Sequence, residues 1–489
     1  MKSNSHDSLL SADLSPGLNL TPPNLTRIHL MGICGTGMAS LAGMLKQQGY
    51  EVTGSDQNVY PPMSDYLRGL AIPVAEGYGA RNLHPSPDLV IVGNVITRLN
   101  PEAVELSRLG IPYLSMPQAL QAFAMKGKQN VVVCGTHGKT TTSSLVAWVL
   151  EKGGKDPGFM IGGLPGNFGV NFKLGGGDLF VIEGDEYDTA FFDKGPKFLH
   201  YSPQIVILTS IEFDHADIYR DLEHVKESFR RLINLIPPDG LLIANGDDAL
   251  VKAESSKARC PVIPYGLNGS AEWEAADIAY HEGRTVLRVL RAGVEQMALS
   301  TPLYGRHNIS NLLAAVVLSD FLHIEAASLQ EAASTFQGVR RRQEVKGEPV
   351  GILVLDDFAH HPTAVRETIR AVRERYGTRR LVAVFEPRSN SSRRKVFQQA
   401  YAGAFDLADL ILIPEPALME KVPPSERFSS RELVQDLTRN GREAVYCANT
   451  ELLLEELLRR CRTGDVVLFM SNGAFDNLPA RLVSKLQEI

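Results

Sequence analysis

The segment Gly135-Thr136-His137-Gly138-Lys139-Thr140-Thr141 combines residue types and spacing that suit phosphate chemistry. It follows the apolar run Val131 to Cys134 and opens a stretch with helical spacing. In that setting backbone N–H groups and the positive end of a helix face an anion. Lys139 can then reach terminal phosphates, and Thr140 can bind Mg²⁺. The general loop Gly-x-x-x-x-Gly-Lys-Ser/Thr would need glycine at 133, where Val133 stands, so this is a shortened variant beginning at Gly135. A chance Gly-Lys-Thr in a loop is the competing reading, and the strand before and helix after it favour nucleotide binding.

Other polar clusters follow apolar runs in the same way. Gly32-Ile33-Cys34-Gly35-Thr36-Gly37, with Asp56 ending the next strand, is either a second phosphate-facing turn or merely a tight one. Its glycines are spaced Gly-x-x-Gly-x-Gly, not the Gly-x-Gly-x-x-Gly of dinucleotide sites. Glu183-Gly184-Asp185-Glu186-Tyr187-Asp188 emerges at the end of a strand, the edge where open α/β sheets take ligands and where a phosphate-bound divalent cation needs carboxylates. Asp214-His215-Ala216-Asp217 is placed alike, although a lone histidine is more often structural. Farther on lie Gly305-Arg306-His307-Asn308-Ile309-Ser310-Asn311 and Arg340-Arg341-Arg342, the latter either a solvated face or a phosphate clamp. His360 and His361, after Asp357, are neighbours whose side chains point apart, which disfavours a two-histidine metal site. Glu386-Pro387-Arg388-Ser389-Asn390 and Ser471-Asn472-Gly473 follow two more strands; Arg388 suits a bidentate carboxylate or a surface ion pair.

These clusters need strands to carry them. The sequence predicts strands at Arg27 to Met31, Glu51 to Thr53 and Asp88 to Val92, with a helix from Met38 to Gln48. The pattern restarts at Val131 to Cys134, with a helix from about Thr140 to Leu150 and strands at Asp178 to Ile182 and Ile205 to Leu208. A third restart at Ile352 to Leu355 leads to strands at Leu381 to Phe385, Leu410 to Ile413 and Val466 to Met470. Three strand–loop–helix starts predict an α/β protein of three domains. These are a Rossmann-like domain over 25–128, a phosphate-loop ATPase domain with a mostly parallel sheet over 129–337, and a Rossmann-like domain over 338–489. Residues 1–24 read as a disordered tail, lacking the basic start and apolar stretch of a signal peptide.

Composition narrows the function. A net charge of −6, from 50 basic and 56 acidic residues, argues against a general nucleic-acid binder, so an anionic ligand must be held by local groups. The five cysteines include no Cys-x-x-Cys pair and are odd in number, so they indicate neither a zinc site nor a disulfide framework and suit a reducing cytoplasm. No apolar run reaches the roughly 18 residues of a membrane span.

Taken together, the loop at Gly135, the Glu183 segment, Asp214-His215, His307-Asn308-x-x-Asn311, Arg341-Arg342 and Asp357-x-Ala359-His360-His361-Pro362 occur in the order seen in Mur ligases, and the resemblance covers nearly the whole chain after residue 25. It implies an ADP-forming ligase that uses ATP and Mg²⁺ to activate the carboxylate of UDP-N-acetylmuramate as an acyl phosphate and join it to an amine, with no obligate protein partner. Two subfamilies share the layout. Val59 to Ser64, Glu186 to Lys194 and Glu386 to Asn390 resemble the one that takes the recycled tripeptide L-alanyl-γ-D-glutamyl-meso-diaminopimelate; the alternative takes free L-alanine. Gly184 stands where the family more often has Ala, and no carbamylated lysine can be placed.

The resemblance implies that Gly32, Gly35, Thr36, Gly37 and Asp56 hold the UDP part. Gly135, Thr136, His137, Gly138, Lys139, Thr140 and Thr141 would hold ATP phosphates. Thr140 with Glu183, and Glu183 with His215, would each bind an Mg²⁺. His307, Asn308 and Asn311 would surround the adenine, Asp357 would hold the ribose, and Arg342 would face the γ-phosphate. Arg388, Asn390, Ser471 and Asn472, with His361, are the candidates for the peptide. A non-catalytic ATP-binding switch leaves the further strand-end clusters without a task, and a dehydrogenase leaves Lys139 without one.

Overall fold

The computed structural model describes residues 11–417 and 419–488. Three large sheets, with a small two-stranded one of Asp188–Ala190 and Asp193–Pro196, divide the described chain. In the first, all strands are parallel in the order Val74–Glu76, Glu51–Asp56, Arg27–Met31, Leu89–Val92, Tyr113–Ser115. The order reverses beside Arg27–Met31, so the Gly32 turn opens at the crevice where such sheets bind ligands. The helix behind that turn runs Thr36–Gln47 and buries Met38, Leu41, Ala42 and Leu45 against the sheet.

The second sheet has the order Val294–Thr301, Arg284–Arg291, Trp273–His281, Val262–Gly266, Leu241–Asn245, Ile205–Leu208, Gln129–Cys134, Leu179–Gly184, Gly158–Met160, Phe172–Lys173. Its middle strands are parallel and apolar along most of their length, because helices cover both faces. Gln129–Cys134 buries Val131, Val132 and Val133 completely, each contributing about 1.5–3 kcal/mol. The strands Trp273–His281, Arg284–Arg291 and Val294–Thr301 form an antiparallel meander that the sequence does not predict. One of them, Arg284–Arg291, alternates buried Thr285, Leu287 and Val289 with more exposed neighbours, as expected of a sheet wet on one side. The third sheet, ordered Glu344–Gly347, Leu353–Asp357, Val466–Met470, Leu381–Phe385, Leu410–Pro414, Ala444–Cys447, is parallel except for its first strand. Each predicted strand is found, several extended by a residue or two.

The expectation of a disordered tail over 1–24 is corrected for the part that is described; residues 1–10 lie outside the described residues. Ala12 is buried and its N–H donates to the Arg98 carbonyl. Asn19 donates to the Tyr113 carbonyl and exchanges hydrogen bonds with Gln118. The segment is polar in composition, yet these specific partners on the first domain offset the entropy of ordering it.

Candidate active site

The loop after Gln129–Cys134 is built from two glycines that no other residue replaces without strain. Gly135 has φ 127° and Gly138 φ 84°. A Cβ on Gly135 would lie 2.2 Å from Thr209 Oγ1, and one on Gly138 2.6 Å from Asn311 Oδ1. The helix Lys139–Lys152 starts directly behind, so the loop N–H groups and the helix end share one concavity. Lys139, unlike the expected outward reach, turns back: Nζ donates to the Gly135 carbonyl at 2.7 Å and to Glu186 at 3.0 Å. A half-dehydrated ammonium satisfies itself on the nearest acceptors, which an arriving anion can replace.

Two carboxylates of the acidic segment have opposite surroundings. Glu183 accepts from Thr140 Oγ1 at 3.1 Å and from the Gly162 N–H at 2.7 Å. Burial, and then the charge of Asp185, push it up to about 7. Glu186 is also buried, but Lys139 and His215 outweigh that cost and hold it down to about 2. The resemblance implies that Glu183 and His215 share an Mg²⁺; the carboxylate hydrogen-bonded to His215 is Glu186, 3.0 Å from Nε2. That bond raises His215 against the effect of its burial. The Tyr187 ring lies tilted against the His215 ring, centroids 4.3 Å apart, and the Tyr219 hydroxyl donates to the Glu186 carbonyl. Glu186 was legible as one acid of a cluster. Its direction was not, because strand alternation stops at Gly184.

The third domain reaches this site through Arg342, whose Nη2 donates to Thr140 Oγ1 at 3.2 Å while its guanidinium lies over the Phe358 ring. Asn308 donates to the Tyr304 carbonyl and to Gln343 Oε1, and Asn311 donates weakly to Asn308. His307 stands beside Gly305 at the start of the helix Arg306–Phe321, and burial lowers its pKa. The buried Asp357 carboxylate accepts the N–H groups of Gln343 and Ala359, so it braces the turns carrying Arg342 and His360. His360 and His361 do diverge: one faces the Phe358 carbonyl, the other the Phe213 carbonyl.

Among the peptide candidates, Arg388 is half-buried, lies against Gly473 and pairs with Glu386 at 3.3 Å. Ser471 donates to the other oxygen of Glu386 at 2.5 Å. Asn390 donates to Asp217 of the central domain at 2.8 Å and accepts from Arg393, so it bridges domains. Asn472 carries a buried Oδ1 with no hydrogen bond. His361 sits with His137 and Glu212, apart from Arg388 in the hydrogen-bonding pattern.

The first domain contributes a cleft of about 700 Å³ lined by Gly32, Gly35, Thr36, Gly37 and Asp56 that runs through to Glu183 and Lys197. Asp56 accepts the N–H groups of Cys34 and Asn58, which fixes the turn. Gly37 is needed for close approach, since a Cβ there would meet Met116 Sδ at 3.1 Å. The cleft thus joins the Gly32 turn to Glu183 and Asp185, and Thr140 links them to the phosphate loop and Arg342, donating to Glu183 and accepting from Arg342.

Family models match along the chain in the same order: Mur ligase family, catalytic domain, over 27–128; Mur ligase middle domain over 133–319; and Mur ligase, glutamate ligase domain, over 341–473. The UDP-N-acetylmuramate–L-alanyl-gamma-D-glutamyl-meso-2,6-diaminoheptandioate ligase of Escherichia coli (strain K12) is 39% identical over 94% of this chain and 98% of its own length. The UDP-N-acetylmuramate–L-alanine ligase of Geobacter sulfurreducens is 35% identical over 95% of this chain and 98% of its own. A crystal structure of a murein peptide ligase from Psychrobacter arcticus superposes with a TM-score of 0.70 at 33% identity, covering 95% of this chain and 99% of that one. With identities at this level over nearly full lengths, and the site's parts in matching order, the chain belongs to the Mur ligase family of ATP-dependent, ADP-forming amide-bond ligases.

Proposed function

We propose that the chain joins the muramyl carboxylate of UDP-N-acetylmuramate to the alanyl amine of L-alanyl-γ-D-glutamyl-meso-diaminopimelate, in peptidoglycan recycling. Arg388 carries the reading. It is a cation held by Glu386 and Gly473 at the strand edge of the third sheet, suited to the extra carboxylates a tripeptide brings and free alanine lacks. No helix among the described residues is long and apolar enough to cross a membrane, and five free cysteines suit a cytoplasmic setting.

ATP and Mg²⁺ fit the residues present. The glycine-walled loop leaves backbone N–H groups for phosphates, and Thr140 Oγ1 with Glu183 offers the hard oxygen pair that Mg²⁺ prefers. The ion would neutralise phosphate charge. Lys139 moves from Glu186 to the phosphate oxygens, and Arg342 approaches from the third domain. Glu186 and His215 remain as the second oxygen and nitrogen donors beside the path to the first-domain cleft. A muramyl carboxylate oxygen attacks the γ-phosphorus and the bond to ADP breaks. The alanyl amine then attacks the acyl carbon, phosphate leaves, and the amine gives up its proton. Positioning and charge neutralisation supply most of the rate.

The test is ADP release with UDP-N-acetylmuramate, ATP and either the tripeptide or free L-alanine. We expect turnover with the tripeptide. Turnover with alanine alone would reassign the chain to the L-alanine ligases, and nucleotide binding without acceptor-dependent ADP release would point to a switch.

A further inference from the structure

Where the third domain meets the phosphate loop, three side chains converge that the ligation reaction leaves unexplained as a group. His137 Nε2 lies 2.9 Å from Glu212 Oε2, and His361 Nδ1 lies 3.8 Å from the same oxygen. The two imidazole centroids are 4.8 Å apart. One ligand atom from each residue falls within 4.8 Å of the others. His137 and Glu212 belong to the central domain and His361 to the third.

Two of the three, His361 and Glu212, are oriented from behind, as metal ligands are. His361 donates its Nε2 hydrogen to the Phe213 carbonyl at 3.2 Å, which fixes the tautomer and leaves Nδ1 as the acceptor nitrogen, 3.8 Å from Glu212 Oε2. Among the described residues the Thr363 N–H, at 3.3 Å, is the one donor to Nδ1, and a metal would displace it. Glu212 is held through its other oxygen by the Thr363 hydroxyl at 2.7 Å, leaving Oε2 for the cluster. Burial keeps His361 down at about 4, so its ring is neutral at physiological pH and able to ligate. Burial would raise Glu212, but the His137 hydrogen bond and the Thr363 hydroxyl help hold it at about 2, so the carboxylate is charged.

We propose that His137, Glu212 and His361 form a binding site for a borderline divalent transition metal of the zinc type, spanning the joint between the central and third domains. Two imidazole nitrogens and one carboxylate oxygen are a donor set that zinc takes and that Mg²⁺, which demands oxygen, does not. On binding, the metal takes His137 Nε2 and Glu212 Oε2 in place of the hydrogen bond between them, and the imidazole's single hydrogen sits on Nδ1. Because His137 lies in the phosphate loop, the bound ion ties that loop to the third domain and opposes the domain motion and phosphate binding of the ligation cycle.

Cobalt(II) is the probe, titrated into the metal-free full chain while visible absorption is recorded. The expected result is a one-to-one d–d band that zinc abolishes and excess Mg²⁺ does not. The band should be lost in His361→Gln and in His137→Gln and kept in His215→Gln, which removes the nitrogen of the neighbouring acidic site. Thr363→Val, which frees Glu212 to rotate, should weaken cobalt binding about 10–100-fold. Circular dichroism checks that each variant is folded, and Glu212→Gln, expected to weaken binding at least about 10-fold, stands in for a histidine variant that is not. Absence of the band, its survival in both histidine variants, or its loss in His215→Gln overturns the site.

Discussion

Glu183 and Glu186 are three residues apart and titrate in opposite directions, up to about 7 and down to about 2. Environment alone separates them: one faces a hydroxyl and an N–H, the other an ammonium and an imidazole. Such a split assigns different tasks to two like groups. Lys139 couples them to the loop. In Lys139→Ala we expect ADP release to fall at least about 10³-fold, the scale of losing a charge-stabilising donor, with an unchanged circular dichroism spectrum. Arg388 acts on the other substrate. Arg388→Ala should raise KM for the tripeptide about 10–100-fold, the worth of a hydrogen bond to a charged group, and leave KM for ATP in place. An equal rise for ATP would move Arg388 out of the peptide site.

Among the elements, the helices Leu222–Leu235 and Ala249–Ser255 flank the strand Leu241–Asn245 and are joined by the buried Glu254, which accepts from Arg230 Nε at 2.7 Å and Nη2 at 3.0 Å and from Lys257. Burial opposes its charge, but these partners hold its pKa near 2 instead of 4.5. A carboxylate depressed in the folded state adds stability that is present above about 4.5 and lost as the pH falls toward 2. Glu254→Gln should therefore lower the melting midpoint at pH 7 by about 2–4 °C, for a loss of about 1 kcal/mol given part-exposed partners. The deficit should shrink as the pH is lowered through that window. A deficit independent of pH would mean that packing, not charge, sets its role. The helix Lys139–Lys152 shows a different balance: its buried Thr140 to Ser144 are poor helix formers, and burial of Leu145, Val146, Val149 and Leu150 offsets their cost.

Across the whole molecule, the bonds by which the central and third domains meet around the site include Arg342 to Thr140, Asn308 to Gln343, Asn390 to Asp217, Thr363 to Glu212, His361 to Phe213 and Ala216 to Ser391. The chain between them passes through Gly338 and the positive-φ residues Arg341 and Gln343. Since residues of both domains line the phosphate loop, ligands gain most when the third domain closes. Adding a non-hydrolysable ATP analogue with UDP-N-acetylmuramate should reduce the radius of gyration in solution scattering. An unchanged value would mean the domains are already in the reacting arrangement.

Local pattern determined much of this protein. Apolar runs ending in Gly-rich or acidic segments marked the parallel strands, because a strand buried on both faces must be apolar and its ligand-facing end must not be. The Gly135 to Thr141 loop, the acidic cluster and the Arg341-Arg342 pair were visible for the same reason. Tertiary structure decided which member of a cluster points where. Glu186, and not Glu183, meets His215; Lys139 folds back onto Glu186; His361 joins His137 and Glu212, which lie 224 and 149 residues earlier in the chain. Those contacts form beyond the last regular strand residue and between domains, where side-chain direction follows neither period 2 nor period 3.6. The docking of Ala12 to Asn19 was hidden likewise, since its partners at Arg98, Tyr113 and Gln118 come together only in the folded chain.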